Sequence, residues 1–524
     1  MIANIDPQEM LAAAGNRLYL DYFSGAGTAL DFFAHSPLSF SAALDARRGY
    51  DYPRGEASRS LAEYNTRLGS HRRALANIDA LGASSTFCVI TGQQAGFLGG
   101  PAYTAYKIIT TIRLAAYLEE RLGARFVPVF WLATEDHDFG EINHAHYYKG
   151  DGEIGRVRFF WEHEGRPIAD LPVSEDVKRA YAEYLANARP GPYLPQVEEW
   201  FAPRSGESFA EWQARTWSQL FSERGLVILE PRVLCPLAKE FFRFALKHGD
   251  EIRRRLVGVS RRLAASGYVP ALTSPQAGQL YTSDPTGRRV RVKDAQKHLV
   301  EAGVQAGRYS TDAALRPLFA DAMLPVAVSV LGPGETAYHA MLKPLYDLFG
   351  VPQPLLFPRK SYTIVTRHED ERIAHYRTSV RAILTEQLDV DATFRSLMPV
   401  SELERFSTAR RGMEAALTPL RPYLESIDPS LGKTWVQTLA NSTRSLDKLK
   451  RRAQRARMGR LGFSRGELRA LCNVLLPRGR LQERVFPLPH FINRHGTGFI
   501  DTIFSAGNLD EFTHHIVTLE DGRA

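Results

Sequence analysis

Cysteine is scarce in this chain. Its 524 residues include three, Cys88, Cys235 and Cys472, far apart and in no Cys-x-x-Cys pair. That excludes a disulfide framework and points to a reducing compartment. Long apolar runs are missing too: none reaches the roughly 18 residues that suggest a membrane span. The opening MIANIDPQEM has neither a basic nor an apolar stretch, so no secretory signal and a cytoplasmic location are expected. Charge of one sign is also lacking. Sixty-six basic against 58 acidic residues leave +8, which permits anionic small substrates and does not require nucleic acid or a membrane as partner. What remains, 44% hydrophobic and 24% charged, is the composition of a globular protein, long enough for two to four domains.

The informative sequence lies between positions 87 and 147. An apolar run, 87–91, reads as a buried strand. A turn follows at 92–101, with glycine at 92, 96, 99 and 100, then a helical stretch, 102–122. A second apolar run, 126–133, ends in Thr134-Glu135-Asp136-His137-Asp138. Strand, glycine turn, helix and strand make a βαβ unit, which predicts a parallel sheet with ligands at the carboxyl ends of its strands. Gln93, Gln94 and the Glu135 to Asp138 cluster fall at such ends. No Gly-Lys-Ser/Thr closes the glycine turn and it lacks Gly-x-Gly-x-x-Gly, so an anion-binding role rests on its context. Lys107 is placed to reach back to the turn, and the two glutamines suit a polar small molecule. Three carboxylates around one imidazole are costly to bury without a ligand, a metal or proton transfer. His137 reads as a general base or a substrate-carboxylate contact. Zinc held by His137, His144 and a carboxylate is the weaker alternative, since the spacing matches no zinc motif, and no metal is assigned.

Later segments repeat this logic. A strand at 324–331 ends in Gly332-Pro333-Gly334-Glu335 and a helix carrying Ala337, Tyr338, Leu342 and Leu345; two such turns predict a topological switch point. Gly332, Gly334 and Glu335 are candidate nucleotide contacts, with Arg359 beside Lys360 after a strand at 353–357. Strands are also expected within 149–164, at 225–230 (ending in Glu230, given no catalytic role), as an antiparallel piece at 267–293 and at 517–520. Helices are expected at 61–81, 175–188, 208–223 and 237–266. Residues 21–54 read as an irregular cover, with Tyr22, Phe23, Phe32 and Phe33 as packing residues. Arg316 is a candidate anion contact. From 368 to 477 glycine thins out. Phe406, Met413 and Leu420 recur every seven residues, as do Leu439, Leu446 and Ala453, while Pro419 and Pro422 interrupt. This predicts an antiparallel helical arm. The basic run 448–460 lacks the aromatics that base stacking needs and reads as a solvated face.

Several motifs carry a family resemblance. Ile90-Thr91-Gly92-Gln93-Gln94-Ala95-Gly96, then Gly100-Pro101-x-Tyr103-Thr104-x-x-Lys107, Pro128-Val129-Phe130-Trp131 and Glu135-Asp136-His137-Asp138-Phe139-x-Glu141-Ile142-Asn143-His144 resemble the bacillithiol-synthesis cysteine-adding enzymes. So do Leu331-Gly332-Pro333-Gly334-Glu335-x-Ala337-Tyr338, Pro358-Arg359-x-Ser361-Tyr362-Thr363 and Leu481-Gln482-Glu483-Arg484-Val485. The resemblance implies an α/β fold: a Rossmann-type core like that of class I aminoacyl-tRNA synthetases over 1–367, with connecting insertions near 148–224 and 255–318. A coiled-coil arm over 368–477 would form a homodimer, and 478–524 would pack back on the core. It implies a ligase joining cysteine to the amine of malyl-glucosamine. Carboxyl activation makes ATP with Mg²⁺ the expected cofactor, by analogy alone, since no full KMSKS loop is present. Glu135, Asp136, His137, Asp138 and His144 are the catalytic candidates. Gln93, Gln94, Gly96, Tyr103, Thr104, Lys107, Glu141 and Asn143 are assigned to substrate. Gln482 and Arg484 are assigned to a nucleotide-associated surface near the arm. The rival readings are a nucleotidylyl transferase with another acceptor and a non-enzymatic coiled-coil scaffold binding nucleic acid through 448–460.

Overall fold

The computed structural model describes residues 2–10, 17–136, 138–149, 152–162, 165–188, 191–272, 278–293, 298, 305–386, 388–397 and 400–520. Its strands, in chain order, are β1 (Ile2–Ile5), β2 (Thr86–Gln94), β3 (Arg125–Ala133), β4 (His144–Tyr148), β5 (Ile154–Arg158), β6 (Val227–Leu229), β7 (Leu280–Ser283), β8 (Arg289–Arg291), β9 (Tyr309–Thr311), β10 (Val326–Leu331), β11 (Leu355–Pro358), β12 (Ser361–Thr366) and β13 (His514–Leu519). Five of them form a parallel sheet in the order β11-β10-β2-β3-β6. Its strands are apolar on both faces because helices cover both, and nearly every residue of β3 and β10 is buried. The chain runs outward from β2 through β3 to β6, then returns to the other side of β2 with β10. Strand order therefore reverses between β2 and β10, which opens a crevice at their carboxyl ends.

Two smaller sheets and a hairpin attach to this core. β4 and β5 pair antiparallel, and β7 joins β8 and β9. β12 pairs parallel with β13, and β1 closes that sheet antiparallel. The arm consists of helices Val400–Leu417, Leu420–Ile427 and Leu431–Arg460. The first two fold back on the third, and Trp435 Nε1 donates to the Leu417 carbonyl at 2.8 Å. Pro419 stands at the break between the first two, where it cannot continue a helix. Among the described residues no helix is long and apolar enough to cross a membrane.

Several expectations require correction. The stretch 61–81 is two helices, Arg54–Arg67 and Arg72–Ala80, separated at Gly69, whose φ of +70° ends the first. The helix after β10 splits into Pro333–His339 and Lys343–Phe349, and the stretch 237–266 into Lys239–Lys247 and Gly249–Ala265. The cover at 21–54 contains a helix, Phe40–Arg48, although Tyr22, Phe32 and Phe33 do pack in the core. The first β hairpin begins at His144, and residues 159–161 lie outside it. β1 and β12 were not anticipated, because each owes its pairing to β13, more than 140 residues away from either.

The last segment is pinned to β12 by polar groups. Gln482 accepts from Ile364 N at 2.8 Å and donates to its carbonyl at 2.9 Å, as a neighbouring strand would. Glu483, fully buried, pairs with Arg359 at 2.5 Å and accepts from Tyr362 N at 3.2 Å. Glu483→Gln leaves the Arg359 guanidinium buried without a counter-charge. We expect a loss of about 3–5 kcal/mol in chemical denaturation, larger than for Gln482→Ala.

Candidate active site

A cavity of about 430 Å³ lies at the β2–β10 reversal. Its walls include Gln93 and Gln94 from the end of β2, Trp131 and Ala133 from β3, and Gly332, Gly334 and Glu335 from the turn after β10. Arg316, Arg359 and Arg484 add three guanidiniums. A second cavity, about 320 Å³, shares Gln93, Gln94, Tyr103, Glu141 and Arg484 with the first. The two are lobes with a common polar wall.

Lys107 holds the first lobe together. It sits one turn into the helix Tyr103–Leu122 and is almost fully buried. Its ammonium reaches the Gly92 carbonyl and Gln93 Oε1, both at 2.9 Å, and Glu335 Oε2 at 2.6 Å. Three donors thus meet three acceptors. Burial pulls the Lys107 pKa down and Glu335 opposes that shift. Glu335 also accepts from Gly332 N at 2.8 Å, which fixes the turn after β10. Gln93 Nε2 donates to Tyr103 OH at 3.1 Å.

The acidic cluster divides. Asp136 lines neither lobe but braces the wall: Gln94 donates to it at 3.1 Å, and Arg316 and Arg289 lie 3.5 and 3.8 Å away. Glu135 turns inward beneath it, where Cys235 Sγ donates to Oε1 at 3.4 Å; the other carboxylate oxygen is buried with no hydrogen-bond partner among the described residues. Burial pushes the Glu135 pKa up against the pull of Arg289 and Arg316. Asp138 is exposed, and His137 lies outside the described residues. Glu141 borders both lobes; burial, then Asp138, raises its pKa. His144 lines the second lobe, while Asn143 is buried beside it, its Oδ1 3.4 Å from His144 Nδ1.

Other candidates do not converge here. Thr104 is buried with an unpartnered hydroxyl and lines neither lobe, and Gln482 is spent on Ile364. Glu230 accepts from Thr134 at 2.8 Å beneath the cluster. Sequence reasoning missed His146, Arg478 and Arg480 in the second lobe. The basic pair flanking Gly479 was a visible signal, but only the fold shows what it faces. Among the described residues no three or more His, Cys, Asp or Glu side chains group as a metal site.

Two family models match the chain. Residues 4–360 fit the N-terminal Rossmann-like domain of bacillithiol biosynthesis BshC, and residues 362–519 fit its C-terminal coiled-coil domain. The chain belongs to the BshC family. Relatives named "Putative cysteine ligase BshC" match it over most of its length. The Geobacillus kaustophilus protein is 28% identical over 98% of this chain and 100% of its own length. The Heliobacterium modesticaldum protein is 29% identical over 88% and 91%. The Salinibacter ruber protein is 26% identical over 95% and 96%.

The glycine turn sets the wall. A Cβ on Gly96 would stand 2.8 Å from the Gly100 Cα, a backbone atom that cannot rotate away. Gly99 N donates to Gln213 at 3.0 Å, so the turn is held from behind. Gly96→Ala is expected to cost about 1–3 kcal/mol in stability and to displace Gln93 and Gln94, read as a lower melting temperature together with weaker substrate binding.

Proposed function

We propose that this BshC-family chain joins the carboxyl of cysteine to the amine of malyl-glucosamine, forming the amide of bacillithiol. The two-lobed cavity carries this reading. A ligation needs two substrates whose reacting ends meet, and the shared wall of Gln93, Gln94, Tyr103, Glu141 and Arg484 offers such a meeting place. The names of the full-length relatives point the same way.

The attacking amine must shed a proton. Glu141, on the common wall with a raised pKa, is suited to accept it, and Gln94, held by Asp136, to orient the ammonium of cysteine. A free carboxylate does not form an amide unaided in water, so we assign activation to ATP with Mg²⁺. The site fits an anion. Arg316 and Arg359 bring positive charge to the larger lobe beside the turn that follows β10. Bound ATP would supply a leaving group for the carboxyl, held by Arg359 and the turn at 332–334.

The arm exposes Tyr423, Ile427, Val436 and Leu449, each by more than half. We assign this face to a second copy. Light scattering should give a dimer mass that Tyr423→Asp with Ile427→Asp halves; a monomeric parent protein would sink this reading.

Mass spectrometry of the purified protein with cysteine and malyl-glucosamine, with and without ATP and Mg²⁺, tests the reaction. Product is expected only with ATP. Glu141→Gln should lower kcat by about 10²–10⁴ with its fold intact, and His137→Ala tests the imidazole of the same sequence motif. Because the Glu141 pKa is raised, parent activity should climb with pH through a limb above the ordinary glutamate range, and Glu141→Gln should lose that limb. Absence of product under every condition would overturn the proposal.

A further inference from the structure

The larger lobe is lined by two carboxylates, Glu141 and Glu335, the second paired to Lys107, whereas the smaller is lined by Glu141 alone among carboxylates. The smaller one is walled by β4 on one side and by the 478–484 segment on the other. His144 and His146 alternate on β4, so they share a face, and across the hairpin they oppose Arg158 and Arg156. Their rings stand edge to face at 5.3 Å. Burial and the nearby guanidiniums lower both histidines, His146 to about 4, so both are uncharged at neutral pH.

Three guanidiniums complete the lobe. Arg478 donates to His146 Nε2 and to the Ile154 carbonyl, both at 3.2 Å, which fixes its orientation. The guanidiniums of Arg480, exposed, and Arg484, half-buried, make no hydrogen bond or ion pair with the described residues. Glu483 attracts Arg484, but its carboxylate is already bound by Arg359 at 2.5 Å. Glu141, on the side shared with the larger lobe, is the only carboxylate among the lining residues. A partly enclosed space of about 320 Å³ with three cations, two of them unspent, is a seat for a compact dianion.

We infer that this lobe binds the two carboxylates of the malyl group through Arg480 and Arg484, with Arg478 and His146 as a fixed backstop, leaving the larger lobe to cysteine and the nucleotide. The inference rests on the ligase reading for the identity of the acid. Its chemistry, a small organic dianion, is shared with a nucleotide's pyrophosphate, so the probes must separate the two. On this assignment the lobe also sets acceptor choice, because glucosamine without the malyl group has nothing for the guanidiniums to grip.

The test is calorimetric titration of the full chain with L-malate and, separately, with pyrophosphate. Arg480→Gln and Arg484→Gln should each weaken malate binding about tenfold, and Arg480→Lys should recover part of the loss. Melting temperatures report folding; should Arg484→Gln fail to fold, the exposed Arg480 decides. Malate affinity unchanged in both variants overturns the inference, as does a loss confined to pyrophosphate. Malate binding that depends on Arg480 and Arg484 in a protein yielding no bacillithiol would uphold the subsite and remove the ligase reading. Ligation with malate binding indifferent to both arginines would do the reverse.

Discussion

A buried ammonium needs three acceptors, and Lys107 finds them on two different βα turns. The Gly92 carbonyl and Gln93 belong to the end of β2, and Glu335 to the helix that follows β10. These strands are sheet neighbours that come about 240 residues apart in the chain. Desolvating such a pair is costly, and what it secures here is position: the turns flanking the reversal of strand order cannot drift apart without stranding a charge. The walls of the larger lobe are built outward from that contact.

The second constraint comes from the far end of the chain. Glu483 ties Arg359 into the core, and Gln482 treats Ile364 as a strand partner, so the 478–484 segment is carried to the mouth of the crevice. Arg484 then stands in the wall of both lobes. The same residues that stabilise the C-terminal segment deliver unpaired cations to the site. The walls of both lobes are complete only with this segment docked.

Local pattern made much of the core legible. Apolar runs bounded by glycine turns identify β2, β3, β6 and β10 because a strand covered on both faces needs no alternation. Where reading failed, a tertiary contact had overridden local pattern. The periodicity at 61–81 continues across Gly69, but the chain turns there. β12 is a short polar-flanked stretch that becomes a strand because β13 lies beside it.

For the site, sequence alone determined which residues terminate the buried strands, and so that Gln93, Gln94, Asp136 and Glu335 would gather at one edge of a parallel sheet. Strand direction and the right-handed crossover dictate that much. It also placed Lys107 within reach of the glycine turn. Only the tertiary structure decided that Glu135 faces inward to Cys235 while Asp136 braces Gln94 in the cavity wall, since neighbouring residues after a strand diverge according to what packs beneath them. Only it could set Arg478, Arg480 and Arg484 opposite the β4 hairpin. Those partners are more than 300 residues apart in sequence, and nothing but long-range packing, which no local period encodes, brings Arg478 within hydrogen-bond distance of His146.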